Sequence, residues 1–461
     1  MEKLVSLCKR RGFVFPGSEL YGGLNGTWDL GPLGVMLANN IKREWWRSIV
    51  EERDDVVGLD SSILLHPKVW EASGHVSSFT DPLVECKVCH ERYRLDILLK
   101  DSMDKVALEL PKDVALFDLN VPAARKLIFD FLNKEISCGK CGKKNWAEPK
   151  QFNLMFKTFV GPVDDEENKT YLRPETAQGI FINFANVIDT MRVKIPFGIA
   201  QIGKGFRNEI TTGNFLFRVR EFEMMELEFF VKPGTDKKWH EYWKQERLTW
   251  YLSLGMNKNN VKLVDLPKEE IAHYSKGTTE IWYRFPFMDW GELEGIANRG
   301  DYDLSQHAKY SGRDLSYFDQ EANERFVPYV IEPSVGVGRA MLAFLVDSYS
   351  EDGDRVILKL HPKLAPYKVA VFPLLANKEK LLAKAQKIYK NIRGTFAVTF
   401  DDRGNIGKRY LYQDEIGTPW CITVDFQTLE DDTVTVRDRD TTKQMRVKAD
   451  ALRKYLEERL I

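Results

Sequence analysis

Two β-rich runs in the middle of the chain limit its fold more than any other feature. FGIAQIGKGFRNEI begins at Phe197, and FLFRVREFEMMELEFFV ends at Val231, with the polar loop Thr211 to Asn214 between them. Together they predict an antiparallel pair, which commits this part of the chain to a sheet. Side chains on a strand alternate between faces. Phe222, Met224 and Glu226 therefore share one face, and Glu221, Glu223 and Met225 point away. A second feature lies further on, where VPYVIEPSVGVG runs into the buried-looking helix RAMLAFLVDSY. Gly336-Val337-Gly338-Arg339 then sits at a strand-to-helix turn. Glycines there let the backbone approach a ligand, and a helix N-terminus favours anionic groups.

The rest of the chain falls around these elements. Its 461 residues suggest about three domains. The glycine-dense stretch GSELYGGLNGTWDLGPLG precedes an amphipathic helix over 34–52, with Val35, Leu37, Ile41, Trp45 and Ile49 near helical spacing. A short β-like stretch, Ile63 to Leu65, ends at His66-Pro67. Residues 82–148 read as an inserted module with a helix from Pro122 to Lys134 that Asn120 could cap. The helix carrying Trp239, Trp243 and Trp250 reads as a packed face. Beyond Pro362 and Pro366, alternating strand and helix text predicts a small α/β domain of mixed sheet type. It ends in a hairpin over 433–447 and a helix.

Cysteine and charge narrow the class. Six cysteines are too few for a disulfide scaffold. Four form two C-x-x-C pairs, Cys86/Cys89 and Cys138/Cys141, with residues 90–137 between them. Such knuckles are the usual ligand set of a tetrahedral zinc ribbon; the other reading is merely packed cysteines. Cys8 and Cys421 read as packed small hydrophobes. Lys plus Arg number 67 and Asp plus Glu 68, so bulk charge points to no nucleic-acid or membrane partner. No apolar run approaches a bilayer span and no secretory leader is evident, so the expectation is a cytoplasmic protein with no membrane contact.

Each chemical motif is weak alone. A lone G-x-G-R usually marks a tight turn, and R-x-E on a strand is usually a surface ion pair. In this order, however, Phe206-Arg207-Asn208-Glu209 with Arg218 and Arg220, then the Gly336–Arg339 turn, resemble motifs 2 and 3 of class II aminoacyl-tRNA synthetases. The helix at 34–52 and the strand ending at Pro67 resemble motif 1, which in that class builds a dimer interface. WEASGHVSSFTD, YLRPETAQGIF, RVREFEMMELEFF, GTTEIWYRF, GELEGIANRGDYDL and YVIEPSVGVGR narrow this to a resemblance to glycyl-tRNA synthetases of the single-chain homodimeric type.

That resemblance implies an α+β fold. A class II core, a mostly antiparallel sheet flanked by helices, should occupy 1–81 and 149–361. A zinc-ribbon-like insertion should fill 82–148, and a C-terminal α/β anticodon-binding domain 362–461. It also implies ligation of glycine to tRNA(Gly) through a glycyl-adenylate, using ATP with Mg²⁺ and a homodimer. The four paired cysteines would hold a structural Zn²⁺.

The implied site follows motif by motif. Arg207 should hold the α-phosphate, Glu209 should lie near the adenine, and Arg339 should hold the γ-phosphate; these three carry the catalytic expectation. Arg218, after Phe217, should lie along ATP, and Phe222 should stack on the adenine. Gly336 and Gly338 should keep the floor open. Glu292, with Leu293, should line the ATP site and is a candidate Mg²⁺ ligand. Asn208, Val219, Arg220, Glu221 and Val337 fall inside the same ATP-binding runs. Glu175, Glu226 and Glu332 match the carboxylates for the glycine ammonium, which Phe222 also borders. Ser334 should crowd the α-carbon, because a substrate without a side chain is selected by exclusion. Arg299 and Arg94 should help hold substrate.

Three features depart from the family pattern: the TTGNF loop, where related chains often have a proline at the second position, Met224 where they often have glutamine, and Gly300 for a common threonine. Lys408, Arg409, Arg437, Arg439 and Arg446 are candidates for tRNA backbone contact, with scattered surface charge as the competing reading. Two rival functions stand beside this one. One is a noncatalytic nucleic-acid-binding accessory subunit, which would lack the motif arginines and the carboxylate cluster. The other is a synthetase for serine, threonine or proline.

Overall fold

The computed structural model describes residues 1–102, 117, 119–272 and 274–460. The predicted pair lies inside a seven-stranded sheet. Its strands are β1 (Val56–Gly58), β2 (Phe197–Phe206), β3 (Glu221–Val231), β4 (Val261–Asp265), β5 (Gly277–Tyr283), β6 (Gly291–Gly300) and β7 (Tyr329–Gly336). They lie in the order β4-β5-β6-β7-β3-β2-β1. Every pairing is antiparallel except β1 with β2.

The two faces of β3 have different fates. Met225, Leu227 and Phe229 join the main core with residues of three helices: α1 (Pro32–Trp46), α3 (Asp236–Ser253) and α5 (Val337–Ser348). Trp243 and Trp250 are buried there, so the Trp-rich helix is a packing face as read from its spacing. On the opposite face, Phe230 packs with Phe197, Phe181 and Leu304, under α2 (Ala177–Phe181) and α4 (Tyr302–Ser311). The other end of that face, from Phe222 to Glu226, opens into a cavity.

Residues 80–153 carry a three-stranded sheet made of Thr80–Glu85, Arg92–Arg94 and Lys150–Asn153. A separate small core of Val84, Leu95, Leu99, Ile128, Leu132 and Trp146 gathers beside it, with Cys86 and Cys138. The C-terminal sheet has β8 (Val369–Pro373), β9 (Val398–Phe400), β10 (Trp420–Val424), β11 (Thr433–Asp438) and β12 (Gln444–Lys448), in the order β9-β8-β10-β11-β12. β8 pairs in parallel with β9 and β10, and the rest is antiparallel, which is the mixed sheet predicted. Helices α6 (Glu379–Ile392) and α7 (Ile406–Ile416) connect the parallel strands. Among the described residues, no helix is long and apolar enough to cross a membrane.

Several expectations need correction. The second β-rich run does not pair from Phe215; β3 begins at Glu221. Asn214 and Phe215 both take positive φ, and a Gly213–Arg218 bridge closes a turn there. Phe215, Leu216 and Phe217 leave the strand path and fill the core instead. Residues 63–65 form no strand: Leu64 makes one bridge to Leu172, and the strand in this region is β1. Helix α1 ends at Trp46, and Arg47–Glu51 continues as a wider π-type turn. The helix Pro122–Glu135 has Val121 rather than Asn120 at its N-cap, without a side-chain cap, and its proline supplies the helical φ of the first turn.

The largest correction concerns the C-terminal cations. Arg409, Arg437 and Arg439 are buried, not surface groups. Arg409 donates to the carbonyls of Pro373, Asp401 and Gly404, and Arg439 to those of Leu360 and Gly417. Arg437 makes two bonds to Asp414, at 2.9 and 3.0 Å, and Arg355 reaches the same carboxylate at 2.6 Å. Arg446 is half-buried against Asp425 and Thr435. Lys408 alone of the five is exposed. Arg355 comes from a hairpin outside the C-terminal sheet, so this triad ties the two regions together.

Asp414→Ala would strand two guanidinium groups against one another. We expect it to cost about 3 kcal/mol in denaturant unfolding, the scale for breaking a buried pair, and Asp414→Asn to cost less.

Candidate active site

The open end of the sheet face is a cavity of about 460 Å³. Register builds its floor. Glu226 on β3 stands opposite Ser334 on β7, which stands opposite Gly295 on β6. Met224 faces Gly336, and Glu332 faces Ala297. Residues opposite one another share a face, so Phe222, Met224, Glu226, Glu332, Ser334 and Gly336 all line the cavity. Arg94, Glu175, Arg207, Glu209, Phe217, Arg218, Val219, Glu292, Leu293, Gly338 and Arg339 line it too.

Five expected residues do not. Asn208 and Val337 are absent from the lining. Arg220 turns away and donates to the backbone oxygens of Asn25 and Glu209. Glu221 lies on the other face of β3 and pairs with Lys204. Arg299 lies behind the wall, bonded to both oxygens of Asp303 and, at 2.8 Å, to Glu332. It orients a lining carboxylate rather than meeting the cavity itself.

One part of the cavity is cationic. Arg207 donates to the Pro174 carbonyl and lies between the rings of Phe79 and Phe222, 5.4 Å from each centroid. Gly205 opposite Phe222 makes room for that ring, since a Cβ there would stand 2.7 Å from it. Arg339 meets a carboxylate oxygen of Glu292 at 2.9 Å and lies over the Phe217 ring. Burial works against ionisation of Glu292, but Arg339, helped by Arg207 and Arg218, holds it below the ordinary carboxylate range. A Cβ at Gly336 or Gly338 would meet nothing closer than 3.6 Å. The protein's own packing therefore does not require these glycines, and the space they leave belongs to the cavity.

The other part is carboxylate-rich. Glu226 accepts from the backbone N–H and the hydroxyl of Thr176, and from the Ser334 hydroxyl at 2.8 Å. Glu175 accepts from Gln178 and stands 3.4 Å from His75. Burial opposes its ionisation, but His75, Arg299 and Gln178 together hold it well below the usual range. Burial, with Glu226 and Glu175 nearby, pushes Glu332 up to about 8 against the pull of Arg299.

Sequence reasoning missed several lining residues. Phe79, Asp81 and Glu280 lie in segments that carry the family resemblance, but nothing in their spacing marks them. Leu216 reads only as a residue of the second β-rich run, and Tyr274 gives no periodic signal.

The paired cysteines converge. All four Sγ atoms lie within 4.8 Å of one another, with Cys86–Cys141 and Cys89–Cys138 at 3.6 Å. Sulfurs around a tetrahedral zinc stand about 3.8 Å apart, so the cluster has the size to hold a metal ion. The Tyr93 hydroxyl lies 3.4 Å from Cys138 Sγ, as an outer ligand contact would.

Comparison with known proteins agrees with this geometry. Residues 155–349 match the tRNA synthetase class II core domain (G, H, P, S and T), and 368–459 match the anticodon binding domain. The chain is thus a class II aminoacyl-tRNA synthetase. A glycine--tRNA ligase of Thermobifida fusca is 56% identical, over 100% of this chain and 98% of that protein. Those of Streptomyces coelicolor and Geobacillus thermodenitrificans are 55% and 54% identical, again over 100% of this chain and over 98% and 97% of theirs. The chain belongs to the glycine--tRNA ligase family, and its reaction is the ATP-dependent charging of tRNA with glycine.

One lining group gives a stability signature. Burial and the Glu292 carboxylate push Glu280 up to about 7, against Trp282 and Arg339. The folded protein then holds a proton that the unfolded chain loses near its ordinary pKa of about 4.5. The resulting stability is complete below that value and is lost as pH rises through about 7. Glu280→Gln should therefore melt higher than the wild type at about pH 8, with the gap closing near pH 4; thermal melts at both pH values check this.

Proposed function

We propose that the cavity holds ATP and glycine side by side, with phosphates at its arginines and the amino acid at its carboxylates. The observation that carries this is the single lined face on which Phe222 and Arg207 stand a few residues from Glu226, Ser334 and Glu332. Adenine stacks on Phe222, with Glu209 beside it. Arg207 holds the α-phosphate while the glycine carboxylate attacks the α-phosphorus and pyrophosphate leaves. Negative charge grows on that phosphate in the transition state, and a guanidinium already fixed by Pro174 and two aromatic rings stabilises it without reorganising. Arg218 and Arg339 hold the departing phosphates. Mg²⁺ bound with the nucleotide supplies further charge neutralisation, and Glu292 is the carboxylate suited to hold it. The tRNA 3′-hydroxyl then attacks the adenylate carbonyl and AMP leaves. Neither step calls for a protein nucleophile.

Glu175, Glu226 and Glu332 receive the glycine ammonium. Ser334, held by Glu226 and on the row shared with Gly295, crowds the α-carbon and rejects larger side chains sterically. Arg94, fixed by Asp81 and Asp96, stands at the same cavity. Arg299 acts through Glu332.

The enzyme works as a homodimer of single chains on tRNA(Gly) in the cytoplasm. Its catalytic core comprises residues 1–81 and 149–361, its insertion 82–148 and its anticodon-binding domain 362–461. The motif-1-like helix α1 carries the dimer reading. The four cysteines carry a structural zinc.

Amino-acid-dependent ATP–pyrophosphate exchange across the twenty amino acids tests the assignment. Exchange with glycine alone is expected. Exchange with serine, threonine or proline instead would overturn the specificity, and no exchange at all would favour an accessory protein. Arg207→Ala should reduce glycine-dependent exchange by at least about a hundredfold, the scale for losing one preorganised charge partner; normal activity would remove Arg207 from the site.

Elemental analysis should find about one zinc per chain. A folded, metal-free preparation with wild-type stability would remove the metal from the account.

A further inference from the structure

Among the described residues, Glu228 is the one buried carboxyl on the active-site face with neither oxygen hydrogen-bonded. It lies two residues beyond Glu226 on β3 and therefore shares its face. Its side chain is fully buried, and neither carboxylate oxygen has a hydrogen-bond partner. Register locates it. Glu226 stands opposite Ser334 and Phe229 opposite Ile331, so the intervening Glu228 stands opposite Glu332. Directly opposed residues on antiparallel strands have Cβ atoms about 5 Å apart. Two carboxylates at that spacing in the interior do not both ionise without a cation for each.

The charged groups around Glu228 supply only one. Glu332 on β7, Arg299 on β6, Glu226 on its own strand and Asp303 on α4 act on it. Glu175, before α2, acts on the neighbouring Glu332. Arg299 is already committed to both oxygens of Asp303 and to Glu332. Arg173, which feels Glu226, gives its donors to the Ser61 and Lys204 backbone, and His75 faces Glu175. Glu332, itself pushed up to about 8, has a guanidinium against it and Glu228 has none, so Glu228 is the member of the pair that holds its proton more firmly. Burial and the neighbouring Glu332 carboxylate push its titration well above the ordinary range, consistent with that placement.

We propose that Glu228 is a positioning residue for glycine: it is a neutral acid in the empty pocket and ionises when the substrate ammonium arrives, releasing its proton to solvent. The incoming cation provides the positive charge that the cluster lacks, and the new carboxylate deepens the well that holds it. This rests on the reading of Glu175, Glu226 and Glu332 as the ammonium pocket. It assigns a role to a residue outside the cavity lining.

The test is the KM for glycine in pyrophosphate exchange, from about pH 6 to about pH 8.5, with the KM for ATP as control. Release of a proton on binding makes 1/KM rise with pH, approaching tenfold per unit below the pH at which free Glu228 titrates and flattening above it. Glu228→Gln, locked neutral, should lose that rise and bind glycine about tenfold more weakly near pH 8, with a smaller change in kcat. Glu228→Asp should keep the rise. A Gln variant whose pH profile overlays the wild type would overturn the proposal. If that variant does not fold, calorimetry of glycine binding to the wild-type enzyme with a non-hydrolysable ATP analogue, in two buffers of different ionisation enthalpy, decides the matter. About one proton released is expected, in the wild type and also in Glu332→Gln, where Glu228 is the remaining acid of the pair; none in either would overturn it. Glu226→Gln separates this inference from the pocket reading. An unchanged glycine KM in that variant removes the pocket, whereas a raised KM beside an unaltered Glu228→Gln profile removes only the role of Glu228.

Discussion

The register of β3 against β7 sets Glu226 opposite Ser334 and Met224 opposite Gly336, and the rest of the cavity depends on that alignment. A slip of one residue would turn Phe222 and Glu226 into the core and bring Met225 and Leu227 into the cavity. The alignment is held from the other face, where Met225, Leu227 and Phe229 pack under α1, α3 and α5. Hydrophobic packing on one side of the sheet thus fixes the chemistry on the other. Glu332 then needs a counterion inside the fold, which Arg299 supplies from the neighbouring strand.

Charge is segregated along this face. Arg207 meets Phe222 at the outer end, and Glu226 lies four residues further in, about 13 Å along the strand. ATP and an amino acid divide their charges in the same way, with phosphates at one end and an ammonium at the other. A near-neutral total of 67 basic and 68 acidic residues conceals this arrangement, because overall charge does not report how charges are distributed.

Strand alternation made much of the site legible in the sequence. Phe222, Met224 and Glu226 fall on one face, Glu221 and Glu223 on the other, and the structure keeps that division through Lys204 and Lys42. The same alternation includes Glu228, but its significance depends on a partner strand more than a hundred residues away. The turn at 213–218 was hidden because Phe215, Leu216 and Phe217 read as strand residues, whereas burial in the core decides their conformation. The C-terminal arginines misled for a related reason. A sequence does not say whether a cation is solvated, and Arg437 is buried because Asp414, on a different element, meets it. Tyr274 and Asp81 reach the cavity only through tertiary folding.

The most direct test of the central claim is a crystal structure of the enzyme with a non-hydrolysable glycyl-adenylate analogue. The account predicts the ammonium within hydrogen-bonding distance of Glu175, Glu226 and Glu332, the α-carbon against Ser334, and the adenine on Phe222. An analogue bound with its ammonium away from those carboxylates, or with its adenine off Phe222, would contradict it.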